Sequence, residues 1–447
     1  MGGFKNFIAE MRRYPSAIFG LITVFLLVAL AIYAMVTIPY QEAIRLWRGG
    51  EAVWYQNPKN APPTWMNYFN KVKQPVSFSI KSGDPNFTKE VVPGAQNTAA
   101  FNFETKFNVD YDEYPQEMIL YIRSKYDTKN PFLSIKLITP DGRELRVGDF
   151  GVSPTQTYRF SQDEKLQRRL KGQPVMQGLL SQADVEPAKI QKGEYTLQIT
   201  GTSFEQGSDI DLEFVVHGQL FGLFGTDHMR RDLKISMLWG APIALAFGFL
   251  AAIGTSVLTM IIAAIGAWYG GWLDELIQRI TEINLVLPFL AILIMVGTFY
   301  SKSIWVILAV TIALSIFTGG IKTYRAIFMQ IKESTYIEAA KAYGADNGRI
   351  IFQYMIPRII PLLLPTLVSA IPAYVFLEAS LAVLGLGDPV LPTWGKTINE
   401  AWANGALYKG QYYWILQPAV LLIFTGLGFA MLGFALDRIF NPRLRGM

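Results

Sequence analysis

Thr335-Tyr336-Ile337-Glu338-Ala339-Ala340-Lys341-Ala342-Tyr343-Gly344, with Pro357 thirteen residues beyond the glycine, lies in a basic loop between two long hydrophobic segments. Thr335 can cap a helix that has Glu338 at its third position, a reciprocal box satisfying two otherwise unpaired amides. Gly344 stands where a left-handed helix stop is wanted. These ends predict a short helix over 336–343, then a second that starts after Asp346 and reaches Met355 before Pro357 breaks it. Ala339 and Ala340 present almost no side chain, so one face of the first helix can approach another surface closely, with Glu338 and Lys341 offering charge beside it. On capping alone, an ordinary capped helix in a loop explains the stretch as well.

The flanking segments fix the class. Over 447 residues, 51% are hydrophobic, 17% are charged and the mean hydropathy is +0.25, which places the chain in a membrane. Apolar runs cover 16–38, 235–268, 285–299, 303–321, 359–386 and 414–436, against the roughly 20 residues a helical span needs. Six spans are expected, a polytopic helical fold with both ends on one side. The third run borders the polar stretch 274–284, which leaves its start open. Lys5, Arg12, Arg13, Arg279, Lys322, Arg325, Lys332, Lys341, Arg349, Arg358, Arg438, Arg443 and Arg445 fall on the side of the amino terminus. The opposite side holds a thinner set that includes Arg230, Arg231, Lys234 and Lys396. Both termini and the loop 322–358 are therefore expected in the cytoplasm. The first run competes with a cleaved signal sequence, but it is longer than a usual signal core and has no small-residue cleavage pattern before Pro39, which favours a retained anchor.

Residues 41–222 differ in character. Strands with period-two alternation are expected at 101–109, 118–124, 133–139, 195–200 and 210–216, with a turn at Pro140-Asp141-Gly142. Two sheets packed as an extracytoplasmic β-sandwich fit best, with a short helix within 161–183 whose basic cluster reads as a solvated face. The expected organisation is 1–40 as amino terminus and first span, 41–222 as the inserted β-domain, and 223–447 as a helical core. The chain has no cysteine and only His217 and His228, which excludes disulfides, thiol chemistry and a histidine-cysteine metal site.

Other motifs accompany the loop. They are Phe224-Gly225-Thr226-Asp227, Arg231-Asp232 and Gly240-Ala241; Gly270-Gly271-Trp272 with Asp274, Arg279 and Pro288; and Glu378-Ala379-Ser380-Leu381. Leu384-Gly385-Leu386-Gly387-Asp388-Pro389, Trp394-Gly395 and the ending Asp437-Arg438 with Asn441-Pro442-Arg443-Leu444-Arg445 complete the series. In this order, with Ile356-Pro357 after the Glu-Ala-Ala stretch, they resemble the ATP-binding-cassette importer permeases, in the dipeptide, oligopeptide and nickel branch. The resemblance covers the first span and everything from about Phe224 onward. Arg230 stands where that branch usually has glycine, Pro242 where it commonly has a basic residue, and the β-domain where it has a modest loop.

The resemblance implies a type I importer permease fold and a non-catalytic subunit forming half of a translocation pore. It implies a second homologous permease, two ATPase subunits that bind ATP and Mg, an extracytoplasmic solute-binding protein, a cell-membrane location, and no bound cofactor or nucleic acid. Thr335, Glu338, Ala339, Ala340, Lys341, Gly344 and Pro357 become the candidates for coupling to the ATPases. Trp394-Gly395-Lys396-Thr397 does not make this chain an ATPase, because a phosphate-cradling loop needs glycine at the position of Val390. Glu378, a carboxylate inside an apolar run, is a gating or pathway candidate with Pro372; a role in helix packing and one in substrate contact both remain open. Short peptides are the first substrate class implied, with nickel complexes or oligosaccharides as alternatives. A membrane-anchored sensor or adhesin working through its β-domain is the rival of another class.

Overall fold

The computed structural model describes residues 15–94, 98–183, 185 and 187–440. Lys5, Arg12, Arg13 and the expected terminal motif from Asn441 to Arg445 lie outside them. The described residues fall into two compact units, one running from Gly49 to Lys234 and the other holding the rest.

Pro15–Thr37 forms the apolar helix α1, followed by a short amphipathic helix α2 at Tyr40–Arg48. Lys234–Tyr269 is α3, and then come two bent pairs. Gly271–Val286 (α4) meets Phe289–Phe299 (α5) at 78°, and Ile304–Ile316 (α6) meets Gly319–Lys332 (α7) at 48°. Thr335–Ala342 is α8, Ile356–Leu381 is α9, Trp394–Ala403 is α10 and Tyr413–Phe440 is α11. Four helical runs among the described residues are long and apolar enough to cross a membrane, or up to six if each bent pair is one span. The open start of the third expected run has a cause: Pro288 holds Leu287 extended, at φ −67° and ψ 134°, which separates α4 from α5.

The expected break at Pro357 does not occur. A π-helical turn over Ile350–Met355 leads into α9, and the proline lies in the first turn of α9, where a missing N–H is tolerated. The helical run therefore continues from Asn347 to Leu386, with Pro361, Pro365 and Pro372 inside it. Small residues bring α1 onto α11. A Cβ on Gly20 would stand 2.7 Å from the Leu432 nitrogen, and one on Gly428 would stand 2.8 Å from the Thr23 methyl, the close approach by which helices associate in lipid.

The unit from Gly49 to Lys234 is built of antiparallel strands: β1 (Phe78–Lys81), β2 (Phe87–Pro93), β3 (Ala99–Val109), β4 (Glu117–Lys125), β5 (Phe132–Ile138), β6 (Glu144–Gly151), β7 (Thr155–Arg159), β8 (Gly193–Ser203) and β9 (Asp209–His217). They form a four-stranded sheet ordered β1-β9-β4-β7 and a five-stranded sheet ordered β2-β3-β8-β5-β6. Alternation sends Phe101, Phe103 and Phe107 of β3 into one core with Leu120 and Ile122 of β4 and Phe214 of β9. Gly142 takes φ +82° in the turn after β5. The helix expected within 161–183 is two short ones, Glu164–Arg169 and Val175–Leu180, separated where Lys171 and Gly172 turn left-handed. Its basic cluster is not wholly solvated: Arg169 donates to the carbonyls of Arg146 and Val147 at 3.1 and 3.3 Å.

Candidate coupling and pathway sites

The loop 322–358 is fastened to the end of α3 around the side chain of Trp268. Its indole N–H donates to Asn347 Oδ1 at 3.1 Å, and the Lys332 and Lys341 ammoniums lie 5.7 and 4.9 Å from the ring centre. Lys332 also donates to the carbonyls of Ala267 and Trp268 at 3.2 and 2.8 Å, a cation on the last carbonyls of a helix. Arg325 of α7 grips Asp274 of α4, with Nε donating to Oδ1 at 2.7 Å and Nη2 donating to Oδ2, the bidentate geometry that makes arginine pairs strong. Beneath them Met260, Ala264, Phe328, Ile337, Ile350 and Met355 share an apolar cluster.

Within that frame α8 starts one residue earlier than expected. Ser334 is the N-cap residue and Thr335 the first helical one. No side-chain cap forms, because the Ser334 hydroxyl donates to the Ile331 carbonyl instead. The far end is a complete Schellman stop: Gly344 N–H donates to Lys341 O at 2.9 Å, Ala345 N–H to Ala340 O at 3.0 Å, and Gly344 has φ +78°. Ile337 is fully buried and Ala340 nearly so. Of the two alanines only Ala339 faces outward, on a face with Tyr336 and the 93% exposed Tyr343. Glu338 is exposed beside it, whereas Lys341 leans over Trp268.

Glu378 is buried in α9, with Thr393 as its hydrogen-bonding neighbour and Asp388 nearby. Pro372 is buried on the same helix. The chain around them is pinned by backbone contacts. Gly385 leaves the helix at φ +85°, and the Asp388 carboxylate accepts from Ile304 N–H at 3.0 Å and from Val390 N–H at 2.8 Å, holding the start of α6. Trp394 donates to Met237 O at 3.1 Å, and its ring fills the space where a Cβ on Gly240 would be. Gly395 lets α10 meet Ala379, whose Cα would stand 2.6 Å from an added Cβ. Lys396 donates to the carbonyls of Asp388 and Pro389 at 3.0 and 2.6 Å, which gives the Trp-Gly-Lys-Thr stretch a structural use. Among the described residues no group of three or more His, Cys, Asp or Glu could hold a metal.

The lead-in stretch belongs to the β-rich unit. Buried Asp227 accepts from Arg231 Nε at 2.5 Å and from the N–H groups of Met229 and Arg231 at 2.8 and 2.9 Å. Arg230 occupies its glycine-like position by taking glycine's conformation, φ +66°. Its guanidinium donates to Asn57 O at 2.6 Å, lies 3.2 Å from His217 Nδ1 and approaches Glu51 at 3.7 Å. The Tyr55 carbonyl is 3.0 Å from His217 Nε2. Burial and the adjacent guanidinium depress the His217 pKa to about 4, so the ring is neutral, with Nε2 carrying the hydrogen and Nδ1 accepting.

Trp268, Arg325 and Asn347 were not singled out as site residues from sequence. Trp268 closes an apolar run and Arg325 was only a sidedness charge; their partners are 79 and 51 positions away, beyond any periodic signal. Comparison with known proteins matches residues 256–446 to the family described as binding-protein-dependent transport system inner membrane component. The oligopeptide transport system permease protein OppC of Bacillus subtilis is 30% identical over 227 residues, 50% of this chain and 72% of that protein. The dipeptide transport system permease protein DppC of Alkalihalophilus pseudofirmus is 30% identical over 226 residues, with the same shares. The glutathione transport system permease protein GsiD of Escherichia coli is 29% identical over 226 residues, 50% of this chain and 73% of that protein. Among solved structures, the enzymatically active domain of bacteriophage CBA120 tailspike protein 4 matches at 14% identity and a TM-score of 0.17, covering 36% of this chain and 21% of that one, which carries no argument. With an ordered series of permease motifs on apolar helices and relatives matched over most of their length, the chain belongs to the family of binding-protein-dependent transport system inner membrane components, and its β-rich unit is an insertion outside the family match.

Proposed function

We propose that this chain is the permease subunit of an ATP-driven importer of short peptides, forming half of a translocation pore with a second homologous permease. Its helices make six spans, each bent pair counting as one, with both termini and the loop 322–358 in the cytoplasm and the β-unit outside. Two ATPase subunits bind and hydrolyse ATP with Mg, and a solute-binding protein delivers the peptide. Peptides are preferred as cargo because the permeases quoted above are named for oligopeptide, dipeptide and glutathione transport.

The observation that carries the coupling role is the mounting of α8. One face is sunk by Ile337 and Ala340, the far end is closed by the Gly344 stop, and the face with Tyr336, Ala339 and Tyr343 is left open with a small residue at its centre. A helix so held transmits a push as a rigid body. When the ATPases close, displacement of α8 reaches α3 through Trp268 and α9 through the helical run from Asn347, the helix that carries Glu378 and Pro372. Thr335, Glu338 and Gly344 frame the contact, while Lys341 and Pro357 position it from within.

Replacing Ala339 by Trp should lower co-purification of the ATPase subunits and ATP-dependent peptide uptake together by about tenfold or more, the loss produced by roughly 1.4 kcal/mol, with the amount of chain in the membrane unchanged. A variant that keeps both at normal levels would overturn the coupling assignment.

A further inference from the structure

The β-rich unit carries an aromatic ledge that its core does not use. A 3-10 helix over Thr64–Tyr68 and the residues after it expose Trp65, Tyr68 and Phe69 at 40%, 88% and 80%, and Leu223 beside them is 62% exposed. Val72 and Val76, also exposed, follow the ledge in sequence, while Val91 and Val92, Phe132 and Phe204 lie on other strands and loops. The ledge is ordered. Thr64 N–H and its hydroxyl donate to Gly222 O at 2.9 and 3.0 Å, and the Trp65 indole donates to Leu223 O at 3.0 Å. Asn67 and Gln74 bond reciprocally across the loop at 2.9 and 3.0 Å. Trp65 and Phe69 meet edge to face at 6.2 Å. Lys71 follows, exposed and without an ion pair among the described residues.

We propose that this ledge binds the lipid surface, seating Tyr68, Phe69 and Leu223 at the level of the headgroups with Lys71 toward their phosphates. Aromatic side chains with a polar edge, flanked by a cation, are the residues that favour the membrane–water boundary. A held loop also loses little conformational freedom on docking. Lipid is chosen over a protein occupant by continuity of the chain. Leu223 lies eleven residues before Lys234, where the apolar helix α3 begins, so it is never more than about 40 Å of extended chain from that helix. The ledge would fix the insertion against the bilayer, a role independent of which solute is carried.

The absence of cysteine makes the test direct. Tyr68→Cys, Phe69→Cys and Leu223→Cys variants of the full chain, each labelled with an environment-sensitive fluorophore in lipid nanodiscs, are compared with Glu90→Cys on strand β2. All four positions are exposed, so none disturbs the core. The expected result is blue-shifted emission at the three ledge positions, quenching by headgroup-labelled lipid at least threefold stronger than at position 90, and at least threefold weaker quenching by aqueous iodide. Ledge labels as open to iodide as position 90, or shielded only after the solute-binding protein or a second permease is added, would overturn lipid binding.

Discussion

Arg230 shows how a residue can keep a conformation while changing the chemistry. A side chain at φ +66° costs roughly 1 kcal/mol, offset here by the contacts of its guanidinium with Asn57, His217 and Glu51. Arg230→Gly and Arg230→Ala both lose those contacts, but only alanine retains the strain. Thermal unfolding should therefore rank glycine above alanine by about 1 kcal/mol; the reverse order would refute the strain argument. His217 next to it supplies a pH dependence. Its folded pKa of about 4 lies below the ordinary 6.5, so the unfolded chain binds the extra proton. The contribution of His217 is full above pH 6.5, falls as pH drops toward 4, and totals roughly 3 kcal/mol. His217→Gln, which keeps a donor for the Tyr55 carbonyl, should flatten unfolding temperature against pH in that window relative to the unmodified chain.

The coupling loop shows at the scale of elements what sequence can and cannot carry. The Gly344 stop was legible because a left-handed position names its own residue. The start of α8 was displaced by one because Ser334 and Thr335 are both capping types, and only the fold shows that the serine hydroxyl is spent on Ile331. Pro357 read as a breaker because the π-turn that admits it has no local signature. Burial within the loop follows contacts made by distant helices, so Ala339 and Ala340 looked equivalent and are not. Ile337→Ala should cost about 2–4 kcal/mol at the seat of α8. Hydrogen exchange is expected to show lost protection over 335–345 with α9 and α11 unchanged; unchanged protection over 335–345 would mean that the buried isoleucine does not hold the helix.

For the whole molecule, strands β3, β4, β5, β8 and β9 and the six apolar runs were visible because period-two alternation and continuous apolarity are local. Strands β1 and β7, of four and five residues, are too short to declare that period, and β2 and β6, the latter with a register shift against β5, emerged with them only from pairing. The division between helical core and β-rich insertion rests on both patterns, and the motifs that mark the family lie in the core or just before it. What unites them is the claim that force enters at α8. The direct measurement is site-specific cross-linking in the cysteine-free chain: Ala339→Cys in one variant and Ala340→Cys in another, each assembled with its ATPase subunits and treated with a short bifunctional reagent. The outward position 339 is expected to cross-link to an ATPase subunit, and the inward position 340 to react several-fold less. Failure of position 339 to cross-link in an assembly that still transports would contradict the account.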